Sequence, residues 1–232
     1  MALRAARAEL SPELIDKVRP VTLANERILP VPEPLLPLFP WGGVQRGTSL
    51  GVSGTGAWSL AMALLAHSLG SQGWLAIVGA PSFGLVAAND FGIRLDRVLV
   101  VEEPGRSRWG SVVSSLLESV DVVAIAPDTE VGTRDARRLA ARVREQESIL
   151  VHLDGGRSWP SGLDASLAVT VEGWEGIGAG FGHLQARRAK VEAAGRRAGA
   201  PGRSVSVWLP GPDGRLATAG AKVSELHPRL VG

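Results

Sequence analysis

Between the apolar run VQRGTSL and the helix-like MALLAHSLG lies the stretch GVSGTGAWSL, Gly51 to Leu60. Gly51 and Gly56, with Gly54 between them, have the spacing of a phosphate-binding loop, G-x-x-x-x-G-K-[ST]. Such a loop works because glycines let backbone N–H groups turn inward around a phosphate at a helix amino end. A lysine then supplies charge, and a Ser or Thr hydroxyl ligates magnesium. In this chain the lysine position is Ala57 and the hydroxyl position is Trp58, followed by Ser59. The other groups that nucleotide hydrolysis needs are missing too. The strand-like DVVAIAPD ends in Ala126 and Pro127 where a metal-holding aspartate belongs, and WLAIVGAPS offers Gly79, Ala80 and Pro81 where a general base belongs. Each charge-assisted phosphate contact contributes roughly 1.5–3 kcal/mol, so losing the lysine and the metal shell together weakens nucleotide binding by orders of magnitude.

A second group of residues could meet a polyanion. Arg187, Arg188, Lys190, Arg196, Arg197 and Arg203 stand against Glu192 alone over that stretch. Strand alternation along HLQARRAKVE puts Arg188 and Lys190 on one face and Arg187 on the other. The same charges could equally be a solvated edge. If they face DNA, binding should tolerate sequence and fall steeply with salt. Arg157 and Trp159, in the short loop GGRSWPSGLD, add a charge and a base-stacking surface. Of the seven tryptophans, Trp109, Trp159 and Trp174 flank loops or element starts and are interface candidates, whereas Trp74 in WLAIVG reads as core.

Other chemistries are excluded or weak. The chain of 232 residues has no cysteine, which rules out disulfides, thiolate nucleophiles and cysteine zinc sites. His67, His152, His183 and His227 have no metal-ligand spacing, so no metal site is expected. His152 and Asp154 are close in sequence, but a structural hydrogen bond suits them better than acid–base work. Ser53, Ser59 and Ser82 lack a base partner or a nucleophile elbow. No run reaches the roughly 18 apolar residues of a membrane span, and MALRAARAEL lacks a secretory apolar block. The expectation is a cytoplasmic protein with no cofactor.

The elements that must position these residues follow from periodicity. TSLGVS reads as a strand and residues 59–69 as an apolar helix. WLAIVG, RVLVVE, DVVAIA and SILVHL read as buried strands, alternating with helices over 82–91, WGSVVSSLLES and RDARRLAARVREQE. Such alternation predicts an α/β fold with a mostly parallel twisted sheet and flanking helices. After Asp164, ASLAVTVE, HLQARRAKVE and SVSVWLP predict an antiparallel extension. Residues 1–40 read as an appendage: a helical segment, then the proline-rich ILPVPEPLLPLFP, whose prolines forbid regular helix or central strand. It is expected to lie as an extended strap, holding Leu35, Leu36, Leu38 and Phe39 against the core. The domain boundaries are therefore 1–40, a core over 41–216 and a tail over 217–232. In the tail, Val223, Leu226 and Leu230 have near-helical spacing and are candidate partner-binding residues.

In this order the residues resemble the RecA superfamily. GGVQRGTSLGVSGTGAWSL is similar to its strand and phosphate loop, NDFGIRLDRVLVVEEP to the passage that follows, SVDVVAIAPD to the metal-aspartate strand, and ILVHLD to the strand before a DNA-binding loop. HLQARRAKVEAAGR resembles a basic strand near the end of the RecA core. The inactivated site, the proline-rich LLPLFPWGG and the arginine-rich composition resemble the ImuA-prime group of accessory proteins. That resemblance implies a RecA-like core and a non-catalytic role in damage-induced translesion synthesis. It also implies an ImuB-like inactive Y-family polymerase homologue as partner, and through it a DnaE-type error-prone polymerase, with DNA as a further contact. Two other classes stay open: a nucleotide-binding enzyme whose lysine is supplied from elsewhere, and an ATP-independent DNA-binding or regulatory RecA-fold protein.

Overall fold

The computed structural model describes residues 27–81, 83–102, 104–127, 130–153, 159–177, 182–198 and 203–219. The candidate residues Arg157, Val223, Leu226 and Leu230, together with Asp154 and Ser82, lie outside the described residues.

A short antiparallel pair, β1 (Ile28–Pro30) and β2 (Gly43–Gln45), precedes the main sheet. The chain then alternates: β3 (Thr48–Gly54), α1 (Ala57–Leu69), β4 (Leu75–Val78), α2 (Leu85–Phe91), β5 (Val98–Val101), α3 (Arg106–Leu117), β6 (Val122–Ile125), α4 (Thr133–Glu145) and β7 (Ile149–Leu153). Four strands follow without an intervening helix: β8 (Ala165–Ile177), β9 (Gly182–Ala194), β10 (Arg203–Trp208) and β11 (Ala217–Thr218). The sheet order is β11-β10-β9-β8-β3-β7-β6-β4-β5. From β8 to β5 the neighbours run parallel, and from β8 to β11 they run antiparallel. The predicted α/β class and the antiparallel extension are both present.

The parallel strands read as continuous apolar runs because both of their faces are covered. Leu50, Val52, Leu75, Ile77, Val122, Ala124, Ile149 and Val151 share one core with α1. Ala76, Val78, Val123, Ile125 and Leu150 face the other way, toward Val113 and Leu117 of α3 and Ala136, Leu139 and Val143 of α4. Helix α1 is buried on most sides, whereas α4 buries only that narrow stripe and turns its arginines to solvent. Among the described residues no helix is long and apolar enough to cross a membrane.

Several local expectations need correction. The proline-rich strap is a six-residue 3-10 helix, Glu33–Leu38, rather than an extended segment. With three residues per turn, Leu35 and Leu38 eclipse each other and are fully buried, while Leu36 falls off that face and is exposed. Leu29, Val31, Leu35, Leu38 and Phe39 belong to the main core, so from residue 28 onward the segment read as an appendage is part of the folded body. Trp74 is 38% exposed, not core, because the buried strand starts one residue later. Its ring instead carries the Arg97 guanidinium at 5.3 Å. Helix α1 starts at Ala57, earlier than expected, and α2 starts at Leu85, later than expected.

Candidate functional site

In an open parallel sheet, ligands bind outside the carboxyl ends of the strands, where neighbouring crossovers diverge. Here that point is the end of β3, which is flanked by β7 on one side and β8 on the other. The glycine loop sits there and leads directly into α1, as the motif requires.

Each motif glycine has its own steric reason. A Cβ on Gly51 would lie 2.5 Å from Leu163 Cδ1, so this glycine admits the side chain that closes the β7–β8 connection. Gly54 has φ +94°, and its Cβ would lie 2.1 Å from the Val169 carbonyl oxygen of β8. Gly56, at φ +104°, is the residue before the first turn of α1, which no side chain caps. Only glycine adopts these last two conformations without strain.

The positions that would do chemistry are filled by packing. Ala57 is 6% exposed and sits in the core. Trp58 lies against the core with its ring centroid 5.6 Å from that of Phe83. Phe83 follows β4 in the segment that also holds Ala80, and both are buried. Ala126 directly follows β6, donates its N–H to the Val78 carbonyl and packs on the same core. Ser59 is half-buried in the first turn of α1. The places expected for a lysine, a magnesium ligand and a base are thus an apolar wall of Ala57, Trp58, Ala80, Phe83 and Ala126. Among the described residues no group of His, Asp or Glu could hold a metal ion.

One cation does reach the loop. The Arg187 guanidinium, from β9, approaches Gly56 so closely that a Cβ there would lie 3.0 Å from its Nη2 and 3.2 Å from its Cζ. Its Nε donates to the Leu209 carbonyl and its Cζ lies 5.3 Å from the Trp174 ring centroid, but Nη2 is buried with no hydrogen-bond partner. Burial lowers the Arg187 pKa from the usual arginine range. No local pattern in the sequence signals this contact, because β9 comes near the loop only by pairing with β8, which pairs with β3.

The remaining basic candidates among the described residues are engaged within the chain. Strand β9 is an interior strand between β8 and β10, not an edge. On one face, Arg188 pairs with Glu172 at 3.1 Å and Lys190 with Glu192 at 2.7 Å; the first carboxylate comes from β8, which the local charge count leaves out. Arg196 pairs with Asp164 at 3.0 Å. Arg197 donates to the carbonyls of Arg46 and Gly47 and to Thr48 Oγ1, and Arg203 donates to the Pro37 carbonyl of the strap.

Asp164 is the hub of this clasp and was not singled out in the sequence. It is 6% exposed and accepts from Ser49 N–H at 3.0 Å and from Ser49 Oγ–H at 2.8 Å. Burial pushes its pKa up, but the Ser49 hydrogen bonds and the charges of Arg197 and Arg196 outweigh this and hold it below the ordinary aspartate value.

Trp159 is not available for stacking on a base. It is 7% exposed, with its ring centroid 5.2 Å from that of buried His152, because its indole packs in the core with Val113 and Leu117 of α3 and with Ala136, Leu139 and Val143 of α4. Trp109 is half-buried, while Trp174 is 48% exposed beside Arg187.

Residues 37–161 match the family described as MT3502 N-terminal domain, more than half of the chain. The chain belongs to that family. The match runs from the end of the strap through the glycine loop to a point beyond β7, so it contains the apolar wall but not Arg187. The uncharacterized protein Rv3395c of Mycobacterium tuberculosis is 32% identical over 188 residues, covering 77% of this chain and 89% of that protein. Among solved structures, the crystal structure of the RadB recombinase superposes with a TM-score of 0.53 at 14% identity, covering 75% of this chain and 92% of that one. The fold of this MT3502 N-terminal domain family member is therefore RecA-like.

Proposed function

We propose that this chain is a non-catalytic RecA-like accessory protein of damage-induced translesion synthesis, a pseudo-ATPase scaffold. Its partner would be an ImuB-like inactive Y-family polymerase homologue, and through it a DnaE-type polymerase. The observation that carries the pseudo-ATPase reading is the replacement of the phosphate cation and metal ligand by buried Ala57 and by Trp58 packed on Phe83. An indole packed there offers no lone pair to a magnesium ion, and nothing in the apolar wall could take a proton from an attacking water. Titration calorimetry with ATP and magnesium tests the first half: no heat of binding up to millimolar ATP is expected, and a low-micromolar Kd refutes it. Co-purification with an ImuB-like partner, with and without DNA, tests the second half. Failure to bind in both conditions leaves only a RecA-fold regulator.

A second reading is favoured by Arg187. Its unpartnered Nη2 beside Gly56 is a cation brought to the loop from elsewhere in the chain, where it would meet a phosphate. In this reading the protein binds a nucleotide without hydrolysing it. The two readings separate on Arg187→Ala: if calorimetry detects ATP and the variant abolishes the signal, nucleotide binding through Arg187 stands and the first reading falls.

A further inference from the structure

Away from the glycine loop, the carboxyl-terminal half of α1, the end of α2, the strap and the turn before β11 enclose a groove of about 260 Å³. Its walls are Pro32, Ala63, Ala66, Phe91 and Leu216, and its titratable lining residues are His67 and Arg215. The small side chains of Ala63 and Ala66, one turn apart on α1, create the depression. The groove falls below the roughly 300–1,000 Å³ of typical small-molecule sites. It is of a size to take one bulky side chain, as an interface anchor pocket does.

The charge at its mouth indicates the anchor's surroundings. Asp213 accepts from the Arg215 backbone N–H at 3.0 Å, and the Arg215 guanidinium makes no hydrogen bond or ion pair among the described residues. Arg215 thus differs from the arginines of the clasp, whose side chains all have partners within the chain. We infer that this groove binds a partner's acidic peptide segment, which seats one bulky apolar side chain on Ala63, Ala66 and Phe91 and sets a neighbouring carboxylate on Arg215. The inference does not depend on the scaffold reading, since the groove shares no residue with the glycine loop.

Panning a phage library of random dodecapeptides on the full chain, followed by fluorescence anisotropy with the synthetic consensus peptide, tests this. The expected consensus carries one large apolar residue beside aspartate or glutamate. Its affinity should fall at least tenfold on Arg215→Glu, a change at an exposed position, and also on Ala66→Phe, which fills the groove. Circular dichroism of both variants should match the parent. Failure to enrich a sequence, a basic consensus, or binding that survives both variants overturns the proposal. Concentration-dependent dimerisation that Ala66→Phe abolishes also overturns it, because the occupant would then be a second copy.

Discussion

Changing Asp164 to alanine should unfold the link between the glycine-loop strand and the antiparallel extension. The carboxylate holds both the N–H and the hydroxyl of Ser49 on β3, and it attracts Arg196 and Arg197 from the turn after β9. Hydrogen bonds to a charged group contribute about 1.5–3 kcal/mol each, and two buried Ser49 donors lose them. The Arg196 contact adds about 1 kcal/mol at most, because that arginine is 84% exposed. Rotation of the Ser49 hydroxyl to another acceptor and relief of carboxylate burial offset part of the loss. The expected net destabilisation is about 3–5 kcal/mol, as for breaking other buried charged networks. Urea titration with an unchanged m-value would measure it. The variant Asp164→Asn, which keeps an acceptor but no charge, should fall between. Its sign with pH follows from the depressed pKa: the charge contributes fully above the unfolded value near 3.9, and the contribution is lost as pH falls through the lower folded value. The asparagine variant should therefore lack part of the parent's acid-induced loss of stability. A loss below about 1 kcal/mol for Asp164→Ala, or identical acid profiles for parent and Asn variant, would show that the clasp does not hold the sheet together.

Restoring the missing lysine alone, in Ala57→Lys, should give no ATP turnover in a phosphate-release assay, since Trp58 and Ala126 still deny the metal its place. Truncating the strap in Leu35→Ala should cost about 2–5 kcal/mol in the same urea titration, because that side chain is fully buried in the main core. If DNA binding is detected by fluorescence anisotropy, replacing Arg188 and Lys190 together with alanine should flatten the salt slope by less than the roughly two units expected for two free cations, because Glu172 and Glu192 already partner them. A change of two units or more would mean that DNA displaces both carboxylates.

The layered α/β architecture was legible because each buried strand, such as LAIV or VVAI, is apolar throughout, and α4 has an apolar stripe at Ala136, Leu139 and Val143. The glycine loop was legible too, since its strand–turn–helix setting is local. Chain periodicity does not report which residues from distant strands meet. Arg187 and Gly56 touch only because β9 lies beside β8, and Asp164 finds Ser49 only because β8 pairs with β3. Counting charges along 187–203 left out Glu172 and Asp164 for the same reason. Trp159 was misplaced because a tryptophan in a glycine- and proline-containing loop reads as exposed, while its burial depends on helices α3 and α4, which pack over the same face.

The place of β3 within the sheet also bears on how the chain is made. Its two neighbours, β7 and β8, are separated from it in sequence by the helices α1 to α4. A ribosome delivers residues from the amino end, so β3 emerges with both edges unpaired and its apolar Leu50 and Val52 uncovered by their final neighbours. It stays so until the last parallel strands have been synthesised. Long-range pairing of this kind makes folding slow and exposes sticky edges on the way. The strap has to wait longer still, because Arg203 of β10 closes onto its Pro37 carbonyl. A segment synthesised before the whole main sheet is thus locked into place by a strand made after all of its parallel members, and a chain that stops short of β10 leaves the ribosome without that lock.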